Sequence, residues 1–130
     1  MIEEEATPTL DFVALCEAIE RRDPDALLRF YAQDAALRIE NAALPDGLAF
    51  ELRGKEQIER YLRAVCDQEM TCMVAGEAGS DENGIEFVEV CQYPDGTRIS
   101  VKTRLELEGG RISRQLDVVE RAHPDDGSER

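Results

Sequence analysis

Residues 98–121 read RISVKTRLELEGGRISRQLDVVER. From Arg98 to Glu108, Ile99, Val101, Thr103, Leu105 and Leu107 alternate with Arg98, Ser100, Lys102, Arg104 and Glu106. Successive side chains of a strand point to opposite faces, so a period of two predicts a strand with one buried face. Gly109-Gly110 turns the chain, and Arg111–Arg121 predicts its partner strand. Working backward, Ile85–Tyr93 predicts another strand, joined through Pro94-Asp95-Gly96. Met70–Gly79 precedes it across Asp81-Glu82-Asn83-Gly84, where Asn-Gly supplies the positive φ of a tight hairpin. The second half of the chain is therefore a strand meander.

The first half changes period. Phe12, Leu15, Cys16 and Ile19 recur at helical spacing, with Thr7 as the expected N-cap and Pro8 in the first turn. Asp23-Pro24 repeats that start, and Leu27, Phe30 and Tyr31 predict a short second helix. Ala35, Leu37 and Ile39 alternate with polar neighbours as a strand. Residues 41–50, with Pro45-Asp46-Gly47, read as a loop, followed by a brief strand at Phe50–Arg53. After Gly54, Lys55 opens a third helix with Ile58, Tyr61, Leu62 and Val65 on one face. Helices early and strands late predict an α+β fold, an antiparallel sheet backed by helices. Residues 1–8 are expected to be a flexible N-terminus, 9–121 one domain, and 122–130 a disordered acidic tail.

Charge excludes several partners. The chain has 130 residues, with 15 Lys+Arg against 29 Asp+Glu, a net charge of −14. A surface that negative repels phosphate backbones and anionic membranes, so neither nucleic acid nor membrane is an expected partner. Apolar runs are only a few residues long, far short of the ~20 a spanning helix needs. No basic-then-apolar leader is visible at Met1-Ile2-Glu3-Glu4-Glu5, so a cytoplasmic location is expected. Cys16, Cys66, Cys72 and Cys91 match no zinc spacing and are expected to be reduced and buried. The one histidine, His123, lies in the tail. Acid–base chemistry must therefore come from carboxylates, Tyr, Lys or Arg, and neither metal nor cofactor is expected.

Particular residues inside this layout carry a resemblance. They are Asp23-Pro24-Asp25-Ala26-Leu27, Phe30-Tyr31-Ala32-Gln33-Asp34-Ala35, Gly54-Lys55-Glu56-Gln57-Ile58 and the last strand from Gly110 to Glu120. Together they resemble the nuclear transport factor 2-like superfamily, most of all its SnoaL-like and ketosteroid-isomerase-like branches, over about residues 10–121. The resemblance implies a cone-shaped, curved antiparallel sheet packed with three helices from the N-terminal half, a cystatin-like roll with a pocket inside. It also implies a homodimer formed through the outer sheet face. The fold hosts isomerases, cyclases, hydrolases and inert binding domains, so it does not decide function.

Position by position, the resemblance is selective. The tyrosine, base and oxyanion-hole acid of the ketosteroid isomerases fall on Leu15, Ile39 and Thr103. Tyr31 matches a supporting tyrosine, but its companion falls on Leu62. An isomerase of that design is rejected. The acid–base aspartate of SnoaL-like cyclases falls on Asp117, although Leu116 replaces the neighbouring aromatic.

By alternation Asp117 shares a face with Ser113, Gln115 and Val119. If that face looks into the cone, desolvation raises its pKa toward neutrality. Ile112, Leu116 and Val118 could equally be the buried face, which turns Asp117 outward, or they could form a dimer face. The expected pocket wall is Leu15, Ile19, Tyr31, Leu37, Ile39, Leu62, Val88, Val101 and Thr103, with Gln115 and Asp117 as polar anchors. Its expected occupant is a small apolar or carbonyl-containing molecule. The favoured function is binding of such a molecule. The alternatives are a cofactor-independent isomerase or cyclase using Asp117 as general acid/base, and a non-catalytic dimeric interaction module.

Overall fold

The computed structural model describes residues 10–42, 47–81 and 84–121. The elements, in chain order, are α1 (Phe12–Arg21), α2 (Pro24–Leu28), β1 (Tyr31–Asn41), β2 (Leu48–Arg53) and α3 (Lys55–Cys66). Then come β3 (Thr71–Asp81), β4 (Gly84–Gln92), β5 (Arg98–Glu108) and β6 (Arg111–Arg121). The six strands form one curved, unclosed sheet in the order β2-β1-β6-β5-β4-β3. Neighbours run antiparallel except β1 and β6, which are parallel. A parallel pair needs a long crossover, and everything from β2 to β5 supplies it. α3 packs on β1 and β2, α1 on β3, and α2 bridges α1 and α3. No helix among the described residues is long and apolar enough to cross a membrane.

Local chemistry sets the boundaries. Asp11, extended at φ −85°, ψ 97°, caps α1 by accepting from the Ala14 amide at 3.1 Å. The helix therefore starts at Phe12, later than the Thr7-Pro8 reading; those two residues lie outside the described ones. Asp23 caps α2 as expected, accepting from the Ala26 amide, with Pro24 in the first turn. Tyr31 is not part of that helix but opens β1. The Phe30 carbonyl accepts from the Ile112 amide at 2.8 Å, which draws the chain into the sheet immediately after α2. Gly54 sits at φ 87°, ψ 151°, a region only glycine occupies without strain, and this lets β2 turn into α3. Gly109 and Gly110, both at positive φ, make the expected β5–β6 turn.

One irregularity fixes which residues face inward. Leu107 pairs with Ile112 but Glu106 pairs with Arg114, so Ser113 is an extra residue in β6. A bulge of this kind reverses the parity of the strand. Ile112 is buried at one end of β6, while beyond the bulge Gln115, Asp117 and Val119 share the concave face. Leu116 and Val118 are on the convex side, opposite Arg104 and Lys102. Both residue sets that competed for the interior in the sequence thus supply part of it. Residues 1–8, the turn residues Glu82 and Asn83, Pro45-Asp46, and the tail with His123 lie outside the described residues.

Candidate ligand-binding site

The concave face and the helices enclose a cavity of about 340 Å³. Leu15 and Ile19 of α1 and Leu62 of α3 close it from the helical side. Ile39, Phe87, Val101 and Thr103 line it from the sheet. Its wall is mostly apolar with a few converging polar groups, the composition that binds small organic molecules.

The polar groups meet at Asp117. Thr103 lies directly opposite Asp117 across β5 and β6, and Ile39 flanks it on β1. Thr103 Oγ1 donates to Asp117 Oδ1 at 3.0 Å, and Gln115 Nε2 donates to the same oxygen at 2.9 Å. The Tyr31 hydroxyl donates to Gln115 Oε1 at 2.6 Å, which orients the amide with its NH2 toward the carboxyl. Burial pushes the Asp117 pKa up to about 6, and the Glu89 charge adds to it. The bonds from Gln115 and Thr103 pull the other way and do not win. Tyr31 and Tyr61, both on the cavity, stay protonated well above neutrality, chiefly through burial.

A second polar cluster stands further along the strands. Cys72 on β3 lies directly opposite Cys91 on β4, and Glu89 precedes Cys91 on the same face. Glu89 Oε2 lies 3.4 Å from the Cys91 thiol. Arg22, the one described non-glycine residue at positive φ, caps α1 and carries its guanidinium across to this cluster. Its Nη2 donates to the Val65 carbonyl at 2.6 Å and to the Gln68 carbonyl, while Nη1 lies 3.5 Å from Cys72 Sγ. The hydrogen bond from Cys91, with Arg22 and Glu89 assisting, lowers the Cys72 thiol pKa against its burial. Burial raises Glu89 to about 7, and the neighbouring Cys72 adds to it.

Of the expected wall residues, Leu15, Ile19, Tyr31, Ile39, Leu62, Val101, Thr103, Gln115 and Asp117 line the cavity. Leu37 and Val88 do not. Leu37, 1% exposed, is filled core between Leu52 and Gln115, one pleat away from Asp117. Val88 faces the convex side, paired with Ala75 and Lys102, while Phe87, Glu89 and Cys91 face in. Apolar residues of both parities occur in β4, so hydrophobicity does not choose its face there. Arg22, Tyr61, Glu89 and Cys91 also line the cavity, and they were not among the expected wall residues. Glu89 and Cys91 share strand parity with Phe87, a usable signal once any one of them is placed. Arg22 reaches the cavity only because its left-handed backbone turns it back across α3, which no spacing reports.

Solved structures share this architecture. A proposed ketosteroid isomerase from Kribbella flavida is similar with a TM-score of 0.69 at 18% identity, over 92% of this chain and 85% of that one. A proposed polyketide cyclase from Sinorhizobium meliloti is similar with a TM-score of 0.62 at 19% identity, over 80% and 89%. An epoxide hydrolase from M. tuberculosis gives a TM-score of 0.61 at 19% identity, over 84% and 79%. At such identities the likeness is one of fold. No curated protein matches the chain. The model of the SnoaL-like domain matches residues 12–115, from the first turn of α1 to Gln115 beside the site. The chain belongs to the SnoaL-like domain family, with the nuclear transport factor 2-like fold.

Proposed function

We propose that the cavity binds a small, mostly apolar molecule carrying one oxygen function, with Asp117 as its polar anchor. One observation carries this reading. Thr103 and Gln115, the neutral donors nearest Asp117, both give their hydrogen bonds to Asp117 Oδ1. They hold the carboxyl in place: Thr103 gives its single hydroxyl proton to Asp117, and Gln115 gives one of its two N–H donors, so one neutral N–H is left for an oxyanion on a bound molecule. That arrangement suits recognition better than turnover, and it leaves Oδ2 to meet the bound molecule. Below pH 6 the neutral carboxyl donates to a carbonyl; above it the carboxylate accepts from a hydroxyl.

The raised pKa of Asp117 favours a second reading, proton transfer to and from the carbon beside a carbonyl. Tyr61, a cavity phenol outside the Asp117 network, would then have to hold the enolate. The domain is also proposed to pair with a second copy through the convex face, where Met73, 57% exposed, supplies apolar surface beside Val88 and Val90. It is proposed to work in the cytoplasm.

Cyclic ketones and lactones in D2O separate these readings. Calorimetry reads binding, and proton NMR reads exchange at the carbon beside the carbonyl. The binding reading predicts saturable binding that strengthens as pH falls through 6, persists in Asp117→Asn, whose amide still donates, and is not accompanied by exchange. Catalysed exchange lost in Asp117→Asn supports proton transfer instead. Absence of binding throughout, with no change on filling the cavity by Leu62→Trp, leaves only the interaction module.

A further inference from the structure

We infer that Cys72, Glu89 and Cys91 form a three-ligand site for one soft divalent cation of the zinc class, with its fourth position open to the cavity. The inference stands on residues separate from Asp117 and does not depend on what the cavity binds.

The sequence conceals this set, because its cysteines are far apart along the chain and form no close pair. Strand pairing assembles it. Residues directly opposite on antiparallel strands have Cβ atoms about 4.5–5.5 Å apart, so Cys72 and Cys91 present two sulfurs side by side. Glu89 adds an oxygen from the same face of β4. The two sulfurs and the carboxylate oxygen all lie within 4.8 Å of one another. Tetrahedral zinc, with bonds of about 2.3 Å to sulfur and 2.0 Å to oxygen, separates its ligand atoms by roughly 3.3–3.8 Å. The 3.4 Å between Glu89 Oε2 and Cys91 Sγ already has that spacing.

Donor type selects the ion. Two thiolates and one carboxylate suit zinc and exclude the hard, oxygen-seeking calcium and magnesium. Arg22 places a positive charge beside the cation, but its position fits an outer ligand shell. It is held by the Val65 and Gln68 carbonyls and points Nη1 at Cys72 Sγ, as a donor to a metal-bound thiolate does. Two thiolates and a carboxylate carry three negative charges, Arg22 offsets one, and a divalent ion balances the remaining two. Three protein ligands on a cavity wall leave the fourth position to water or to an oxygen, nitrogen or sulfur atom of a bound molecule.

Cobalt(II) tests the site on the full chain, reduced and stripped with a chelator. The expected result is one Co2+ per chain, with a thiolate-to-cobalt charge-transfer band and the intense visible bands of tetrahedral coordination. Zinc should displace the cobalt and raise the melting temperature of the parent. Cys72→Ser and Cys91→Ser should abolish the bands, Cys16→Ser should retain them, and Glu89→Gln should weaken binding tenfold or more. Melting curves of the metal-free variants show that each still folds. A parent chain without thiolate charge transfer at several equivalents of cobalt overturns the inference whatever the variants do. Bands that survive the loss of both Cys72 and Cys91 overturn it as well.

Discussion

Asp117→Asn raises the melting temperature above pH 6 and leaves it nearly unchanged below pH 4. The carboxyl has an ordinary pKa of 3.8 and one of about 6 in the folded chain. A raised acid favours folding while it is protonated. Its contribution is complete below pH 3.8 and is lost as pH climbs to about 6, because the unfolded chain ionises first. At neutral pH the loss amounts to about 2–3 kcal/mol. Asparagine has the same shape, keeps an oxygen for Thr103 and Gln115, and never ionises. The gain should appear between pH 4 and pH 6 and reach roughly 6–12 °C for a chain of this size. Glu89 titrates nearby and Tyr31 and Tyr61 stay protonated, but all three are present in both proteins and largely cancel in the difference. Paired melting curves across pH 4–8 read the effect. A constant loss of stability at every pH would mean that Asp117 is a satisfied structural partner.

Ile58→Ala lowers stability by about 3 kcal/mol and the melting temperature by roughly 10 °C, the same at every pH. Ile58 is 0% exposed and belongs to the core cluster with Leu15, Leu37 and Leu105. It sits in the first turn of α3, the helix that packs on β1 and β2. Removing its buried carbons forfeits their transfer energy and leaves a void that close-packed neighbours fill only in part. Ile58 does not line the cavity, so the proposed ligand binding, per folded molecule, should be unchanged. Denaturant titration checks the prediction: the midpoint should fall while the slope stays constant. A loss below about 1 kcal/mol would mean that α3 is not fixed to the sheet through this residue.

Asp117 and Ile58 are not equally legible in the sequence. The bounds of β5 and β6 and the turn between them are readable to the residue, because alternation in β5 and a Gly-Gly pair mark them. Ile58 was readable as core from its helical spacing. Asp117 was half readable: its type and place in β6 were plain, but its facing depended on the bulge at Ser113, which alternation alone does not reveal. The start of β1 was masked because Phe30 and Tyr31 continue the helical spacing of Leu27. A hydrogen bond from Ile112, far along the chain, ends the helix there. The parallel pairing of β1 with β6 and the meeting of Cys72, Glu89 and Arg22 are products of strand pairing and helix packing between residues distant in the sequence. Local pattern carries no information about them.

Inside the cavity, Asp117 is desolvated enough to hold a proton well above the ordinary aspartate range. Carbon-13 NMR of the aspartate carboxyl carbons, followed from pH 3 to pH 8 and assigned by the signal missing in Asp117→Asn, measures this directly. Asp117 should titrate with a midpoint at about pH 6. A midpoint near 4, where exposed aspartates titrate, would contradict it.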